Sequence, residues 1–147
     1  MFTKMCESNE IDEQEARTFY STVHNINQST HRLIIQRLTY EMYGNRIYIN
    51  PDITIEEVAD LVGTNRTYVS KLINEYFKMN FCAFINRFRL KELIKIIKED
   101  VNVSNKDLAD LCGFGSTAAM KRTIQKHMNC SIKEFRNSLQ RQIRLSE

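Results

Sequence analysis

The strongest constraint on the fold of this chain is a five-residue pattern that occurs twice. Residues 59–63 read ADLVG, and residues 109–113 read ADLCG, fifty positions later. In both copies a small residue lies four positions before a glycine, as in a helix-turn-helix, where two short helices cross closely at a tight turn. A longer side chain at Ala59 would push two such helices apart. The repeat therefore predicts two helix-turn-helix units in one chain.

The first copy predicts a helix on each side of Gly63. Thr54 and Glu57 form the capping-box pattern with which a helix begins, and Gly63 can adopt the positive φ with which one ends. Asn65 is a suitable N-cap for the second helix. Apolar residues recur at helical spacing in both segments. They are Ile55, Val58, Ala59 and Val62 in the first, and Tyr68 or Val69, Leu72, Ile73 and Tyr76 in the second.

The second copy repeats these features over residues 104–128. Ser104 with Asp107 repeats the cap, Gly113 repeats the turn, and Ser116 is the expected N-cap of the next helix. Beyond the turn the spacing is longer by one residue. The corresponding pairs are Val69 and Met120, Ile73 and Ile124, Asn80 and Ser131, and Phe84 and Phe135. Agreement over so long a stretch is stronger evidence than either motif alone.

Residues 81–100 join the two copies with a continuous helical pattern. Its apolar stripe consists of Phe81, Phe84, Ile85, Phe88, Leu93, Ile94 and Ile97. Five basic residues mostly lie outside the stripe, namely Arg87, Arg89, Lys91, Lys95 and Lys98. A helix of this length spans roughly 30 Å, close to the roughly 34 Å of one turn of DNA. One stiff helix could therefore hold two recognition helices on successive segments of the major groove.

Charge is distributed unevenly along the chain. The net charge is +3, but residues 1–30 carry −3 and the remaining residues carry +6. Between Ser116 and Arg144 there are seven basic residues and one acid, Glu134. A cationic face of this kind suits a polyanionic partner, although a solvated helix surface explains the charge alone equally well.

Several classes of function lack support in the sequence. Cys6, Cys82, Cys112 and Cys130 form no CxxC pair, and the three histidines show no metal-ligand spacing. Cys82 and Cys112 lie among apolar neighbours and are expected to be small core residues in a reducing compartment. No apolar run approaches the roughly 18 residues of a membrane span, and the acidic N-terminus does not resemble a signal peptide. We expect a cytoplasmic protein with no metal, no cofactor and no recognisable small-molecule site.

An enzyme is not expected either. The sequence contains no nucleophile–base spacing, no paired carboxylates in an apolar setting and no glycine-rich phosphate loop. Ser70 and His127 are the residue types that catalysis would need, but each has an adequate role on a helix surface.

The stretch from about residue 31 to residue 140 closely resembles the DNA-binding domain of AraC/XylS-type regulators. The residues that carry the resemblance are NPDITIEEVADLVGTNRTYVSKLINEYFKMNFCAFINRFRL (50–90), which is very specific, and the weaker DLADLCGFGS and IKEFR segments. In that family two helix-turn-helix units joined by a long helix form an all-α domain of about seven helices. Both recognition helices enter the major groove on one face of the duplex, and most members activate transcription by contacting RNA polymerase. The resemblance implies a sequence-specific transcription regulator, an activator, whose partners are double-stranded DNA and RNA polymerase.

The resemblance also assigns DNA-contacting positions. In the first unit the base-reading positions fall on Thr67, Ser70 and Lys71, with Arg66 and Asn74 nearer the DNA backbone. In the second unit they fall on Ala118, Lys121 and Arg122, flanked by Ser116, Thr117 and Gln125. The outward faces of the predicted helices carry the same residues, and most of them have donors or acceptors that reach phosphates and base edges.

Departures from the family pattern cluster in the second unit. Ala118 and Ala119 replace residues that are commonly polar, Ile124 stands where an aromatic residue is frequent, and NCSI at 129–132 replaces Gly-x-Ser-Pro. Alanine can touch a thymine methyl group, but it cannot form a hydrogen bond with a base. We therefore expect the second unit to bind phosphates more than it discriminates bases, with Arg122 as its main base reader.

These observations divide the chain into an acidic, partly flexible N-terminal extension (1–30), an AraC-type DNA-binding domain (31–140) and a basic C-terminal tail (141–147). Within the domain, helix-turn-helix units at 31–80 and 101–140 flank the linker helix, 81–100. A scaffold helix is expected at 31–43, where the apolar positions are Leu33 or Ile34, Ile35, Leu38 and Met42. In the extension, Phe19, Val23 and Ile26 could form one face of a short helix beginning near Asp12. A flexible extension, an association helix and a remnant linker all remain open there.

One alternative function belongs to a different class. The same helical scaffold could serve as a protein-interaction module whose DNA binding has decayed. Ala118, Ala119 and the modest net charge motivate this alternative. Retention of a protein partner at high salt, without retention of DNA, would favour it.

Overall fold

The computed structural model describes residues 29–146 together with Arg17 and Ser21. Within this part of the chain the regular structure is helical, with a 3₁₀ turn at Ile47–Ile49. The α-helices are α1 (Ser29–Tyr43), α2 (Ile55–Val62), α3 (Arg66–Phe77), α4 (Phe81–Glu99), α5 (Asn105–Leu111), α6 (Thr117–Met128) and α7 (Ile132–Ser146). The predicted all-α fold with about seven helices is confirmed.

The described residues divide into two compact units. The first unit comprises residues 29–48 and 52–85, and the second unit comprises residues 49–51 and 86–146. The predicted linker helix is unbroken from Phe81 to Glu99, but its residues are divided between the two compact units. Residues 81–85 belong to the first unit, and the remainder of α4 belongs to the second.

The core of the first unit is built from one face of each of its helices. The buried apolar residues include Ile34, Ile35, Leu38, Met42, Val58, Ala59, Val62, Val69, Leu72, Ile73, Phe84 and Ile85. Burial decides both alternatives that the sequence left open. Ile34 and Val69 are buried, whereas Leu33 is 47% exposed and Tyr68 is only partly buried.

A histidine is also buried in the first unit. The Nδ1 atom of His31 lies 3.0 Å from the hydroxyl oxygen of Tyr76, and its ring packs edge-on against Tyr68 and Tyr76. A buried polar group is costly unless it is hydrogen-bonded. The contact with Tyr76 therefore explains how α1 and α3 accommodate an imidazole at this position.

The second unit has its own core, drawn from α4, α5, α6 and α7 and the turn between α5 and α6. Its buried residues are Leu90, Leu93, Ile94, Ile97, Leu108, Ala109, Cys112, Phe114, Met120, Ile124, Met128, Phe135 and Leu139. The predicted equivalences hold within the two cores, since Val69, Ile73 and Phe84 are buried in the first unit and Met120, Ile124 and Phe135 in the second.

Arg136 fixes the loop that precedes α5. From α7, its guanidinium donates hydrogen bonds to Oδ1 of Asn105 (3.1 Å) and to the backbone carbonyls of Val101 (3.2 Å) and Val103 (2.7 Å). The loop carbonyls are thereby satisfied by one side chain, so the start of α5 is held against α7.

Cys82 was expected in the core, and that prediction is wrong, because the residue is exposed on α4. It lies away from the helix face that buries Phe84, Ile85 and Phe88. Cys112 is buried as predicted. Residues 141–146, which the sequence assigned to a tail, continue α7. Cys6 and the N-terminal extension lie outside the described residues, apart from Arg17 and Ser21.

Candidate nucleic-acid interface

In each unit the same backbone turn connects the first short helix to the second. Gly63 has a φ of +79° and Gly113 a φ of +80°, values that glycine adopts without strain. The amide after each glycine donates to the carbonyl of the repeated alanine, from Thr64 to Ala59 at 2.9 Å and from Phe114 to Ala109 at 3.0 Å. This hydrogen bond satisfies a carbonyl at the end of the helix, as in a Schellman motif. The repeated sequence therefore forms the same turn twice.

The predicted caps of α2 and α5 are confirmed. The Thr54 hydroxyl accepts from the amide of Glu57 at 3.2 Å, and the Glu57 carboxylate accepts from the amide of Thr54 at 2.8 Å. Hydrogen bonds from the amide and the hydroxyl of Thr54 to the carboxylate lower the pKa of Glu57. In the second unit the Ser104 hydroxyl accepts from the amide of Asp107 at 3.0 Å. Both helices thus begin at the residue that the sequence indicated.

The predicted caps of α3 and α6 are confirmed as well. Oδ1 of Asn65 accepts from the amide of Tyr68 at 2.9 Å, and the Ser116 hydroxyl accepts from the amide of Ala119 at 3.1 Å. The position of an N-cap sets the register of its helix. These caps therefore fix where α3 and α6 begin.

The first unit gathers its five predicted DNA-contacting residues on α3. All are exposed, and they line one shallow groove together with Ile55 and Glu75. The five are Arg66, Thr67, Ser70, Lys71 and Asn74. Val69, Leu72 and Ile73 on the opposite face are buried. The amphipathic pattern of α3 therefore places all five residues on its exposed face.

Arg66 is joined to α2 by an ion pair. Its Nη1 atom lies 2.7 Å from Oε1 of Glu56, and both side chains remain more than half exposed. An exposed pair of this kind adds little to folding stability, but it sets the resting direction of the guanidinium at the edge of the groove. Sequence reasoning missed the pair because Glu56 precedes Arg66 by ten positions and belongs to a different helix.

The predicted residues of the second unit lie on and just before α6. Ser116, Ala118, Lys121, Arg122 and Gln125 are exposed, and Thr117 is partly buried. Met120, Ile124 and Met128 form the buried face of the helix. Desolvation by partial burial and the neighbouring charge of Lys126 lower the pKa of His127.

The second turn is one residue longer than the first, and Gly115 has the backbone conformation that this longer turn requires. Its φ of +73° is a value that residues with a Cβ rarely adopt, and a Cβ there would lie 3.1 Å from Cβ of Pro51. The preceding residue, Phe114, is buried against the core, and the guanidinium of Arg89 lies 6.0 Å from the centre of its ring. Arg89 also donates to the carbonyl of Asn50 at 2.9 Å. The lengthened turn thus packs on the segment 49–51 within the second unit.

The structure adds two residues to the groove of the first unit that the sequence did not single out, Ile55 and Glu75. Glu75 follows Lys71 by four positions, so helical periodicity alone could have found it. Ile55 was assigned to the apolar face of α2 and is partly exposed at the start of that helix. Within the described part of the chain, no cluster of His, Cys, Asp and Glu could hold a metal ion, and no helix there is long and apolar enough to cross a membrane.

Comparisons with known proteins point to one family. Residues 58–138 match the helix-turn-helix domain family. The chain is 26% identical over 89 residues to the probable transcription factor PqrA of Proteus vulgaris, a match that covers 60% of this chain and 72% of that protein. It is 24% identical over 93 residues to an uncharacterized HTH-type transcriptional regulator of Staphylococcus aureus strain COL, covering 61% of this chain but only 12% of that relative.

A solved structure shares the fold. The C-terminal domain of AraT, a response regulator from Geobacillus stearothermophilus, superposes with a TM-score of 0.63 at 16% sequence identity. The superposition covers 72% of this chain and 84% of that domain. At this level of identity the likeness concerns the fold alone.

Proposed function

The chain belongs to the AraC/XylS-type helix-turn-helix family of DNA-binding transcription regulators, and we propose that it binds specific duplex sequences through α3 and α6. The observation that carries the proposal is the pair of matching turns, each followed by a capped helix with an exposed polar face. Arg66, Thr67, Ser70, Lys71 and Asn74 would contact DNA from the first unit. Ser116, Thr117, Ala118, Lys121, Arg122 and Gln125 would do so from the second.

Both helices are proposed to enter adjacent segments of the major groove on one face of the duplex. The 19 residues of the unbroken α4 span roughly 28 Å, which approaches the roughly 34 Å between equivalent positions one turn apart. The DNA-binding domain would comprise residues 31–140. We also propose that the protein acts as an activator in the cytoplasm and that RNA polymerase is its protein partner, as the family resemblance implies.

The two units are proposed to contribute differently. Lys121 and Arg122 are both exposed on α6, whereas Ala118 offers a base only a methyl contact. The second unit would therefore supply more phosphate binding than base discrimination, and Arg122 would be its main base reader. Thr67, Ser70 and Lys71 would read bases in the first unit.

Salt-dependent binding to a duplex library tests the proposal. The logarithm of the association constant should fall linearly with the logarithm of salt concentration, with a slope of about −0.9 for each phosphate contacted. Lys71→Ala and Arg122→Ala should each weaken binding to the preferred duplex by roughly 1–3 kcal/mol and relax specificity at one base pair.

Two other outcomes are informative about these residues and about DNA binding itself. An equal loss on every duplex would make Lys71 or Arg122 a phosphate contact instead of a base reader. Absence of salt-sensitive binding to any duplex in the library would contradict the proposal, and retention of a protein partner at high salt would then support the interaction-module alternative. Thr64→Ser, a conservative change outside the groove, is a suitable control and should bind like the parent chain.

A further inference from the structure

The groove of the first unit contains an acidic side chain that the DNA-binding residues do not explain. Glu75 is exposed and lines the groove together with Thr67 and Lys71. The three residues are spaced by four positions along α3, so they form one row on the helix surface. Glu75 and Lys71 form no ion pair with each other, although that spacing permits one. The row therefore presents a hydroxyl, a cation and an anion side by side.

The equivalent row of the second unit has a different chemistry. Ala118, Arg122 and Lys126 occupy the matching positions of α6, and all three are exposed. Arg122 and Lys126 can only donate hydrogen bonds, whereas an ionised carboxylate can only accept them. The polar side chains of the first row therefore combine donors with an anionic acceptor, whereas those of the second row are donors alone.

At two corresponding positions the two units carry side chains of opposite charge. Glu56 in α2 corresponds to Lys106 in α5, just as Glu75 corresponds to Lys126. Residues 54–77 consequently carry four acids and two bases, whereas residues 104–128 carry two acids and four bases. Phosphates are therefore attracted more strongly to the second segment than to the first. Base edges are therefore expected to supply a larger share of the DNA contacts of α3 than of α6.

Only some base edges can satisfy a carboxylate in the major groove. Guanine presents acceptors there, and thymine presents an acceptor and a methyl group. Cytosine and adenine present exocyclic amino groups that donate to a carboxylate. Because each base pair carries its major-groove amino group on one base only, a carboxylate held at a fixed position in the groove is hydrogen-bonded by some bases and repelled by others.

We propose that Glu75 is a specificity-determining residue of the first unit, which accepts a hydrogen bond from the amino group of a cytosine or adenine in the major groove. The proposal rests on the DNA-binding function proposed above. It explains why an acid lies beside Lys71 on a face otherwise suited to DNA. Glu75 would discriminate bases while Lys126, at the matching position, contacts phosphate.

Base analogues that lack the exocyclic amine provide the sharpest test. The full chain is titrated with its preferred duplex and with duplexes in which each cytosine in turn is replaced by 2-pyrimidinone and each adenine by purine. For the parent chain, one replacement in the half-site of the first unit should weaken binding by about tenfold, in line with the discrimination supplied by a good base contact. For Glu75→Ala, the same replacement should change the affinity by less than about twofold.

Three further variants complete the experiment. Glu75→Gln should shift the preference at that base pair toward adenine, because an amide can both accept from and donate to that base. Asp60→Asn removes one negative charge from an exposed residue outside the groove and should leave the discrimination unchanged. Lys126→Ala should weaken binding to every duplex by a similar factor and make the salt slope shallower by about 0.9.

The inference would be overturned if Glu75→Ala strengthened binding to all duplexes equally, since the carboxylate would then act only by repelling phosphates. It would also be overturned if the parent chain and Glu75→Ala responded identically to every analogue. In both cases the parent chain and Asp60→Asn would still bind DNA, so the function proposed above would stand. Failure of all these proteins to bind any duplex would instead reject that function.

Discussion

The first short helix of each unit ends with the same hydrogen bond, from Thr64 to Ala59 in one and from Phe114 to Ala109 in the other. Both alanines are buried, with 1% of their surface exposed. The charges around these matching turns differ in sign, because residues 54–77 carry a net charge of −2 and residues 104–128 one of +2. One backbone geometry thus supports two surfaces of opposite charge.

This contrast separates the positions that determine the fold from those that determine the partner. A small residue, a glycine and an N-cap fix the turn in both units, and each acts through sterics or backbone hydrogen bonds. The exposed charged residues contribute less to the fold, since even the ion pair between Glu56 and Arg66 is more than half exposed and adds little to folding stability. They can therefore change from acid to base without altering the turn, which is compatible with the different roles proposed for the two units.

The largest expected effect concerns DNA affinity. Lys121→Ala combined with Lys126→Ala should weaken binding to all duplexes by about 100-fold and make the salt slope shallower by about 1.8, because both of these cations of α6 are proposed to contact phosphate, whereas the proposed base reader Arg122 is retained. Ser70→Ala combined with Lys71→Ala should cost less affinity but flatten the base preference of one half-site. Fluorescence anisotropy at several salt concentrations measures both quantities. Equal salt slopes for the two double variants would contradict the proposal that the second unit binds phosphates more than the first.

A second prediction concerns the crossing of the short helices. Ala59→Leu and Ala109→Leu should each lower the free energy of unfolding by about 1–3 kcal/mol, because neither buried site has room for the larger side chain. Ala118→Leu is the matched control, since Ala118 is exposed and the change should stay within about 0.5 kcal/mol. Urea denaturation followed by circular dichroism provides the measurement. A small loss of unfolding free energy at only one of the two alanines would show that the short helices pack less closely in that unit.

The N-caps of the exposed helices should have a smaller effect. Asn65→Ala and Ser116→Ala each remove the side chain that accepts a backbone amide, which should cost about 1 kcal/mol of folding stability. Replacement by aspartate retains the acceptor and should restore most of the loss. Thermal unfolding of each pair of variants provides the comparison. Failure of aspartate to restore stability at either position would indicate that the loss has another cause.

The smallest effect is expected at the ends of α3 and α6. Lys78 and Asn129 both have positive φ, 57° and 53°, and asparagine tolerates this conformation better than lysine. Lys78→Gly should therefore raise the free energy of unfolding by up to about 1 kcal/mol, and Asn129→Gly by about half as much or less. Chemical denaturation of the two variants in parallel compares them. A larger gain at Asn129 would contradict the strain assigned to Lys78.

Local patterns in the sequence were sufficient to predict many of the turns and helix caps of this fold. The turns at Gly63 and Gly113 and the caps at Thr54, Asn65 and Ser116 depend on neighbouring residues, and all are present. The retained cap geometry also explains why Asn129 can stand where the family commonly has glycine, since it adopts the same left-handed conformation.

Contacts between distant residues could not be predicted in this way. The ion pair between Glu56 and Arg66 joins two helices, and Arg136 reaches a loop more than thirty positions away. Cys82 was misplaced because its neighbours in the sequence are apolar, although its own position on α4 faces outward. In each case the outcome depends on how helices pack, which hydrophobic periodicity does not specify.

Selection of bound duplexes from a random pool tests the central claim most directly, because every possible binding site competes in the same pool. We expect the full chain to enrich duplexes with two constrained blocks about one helical turn apart, one block more strongly specified than the other. Enrichment of a single block, or of none, would contradict the claim that both units read one duplex.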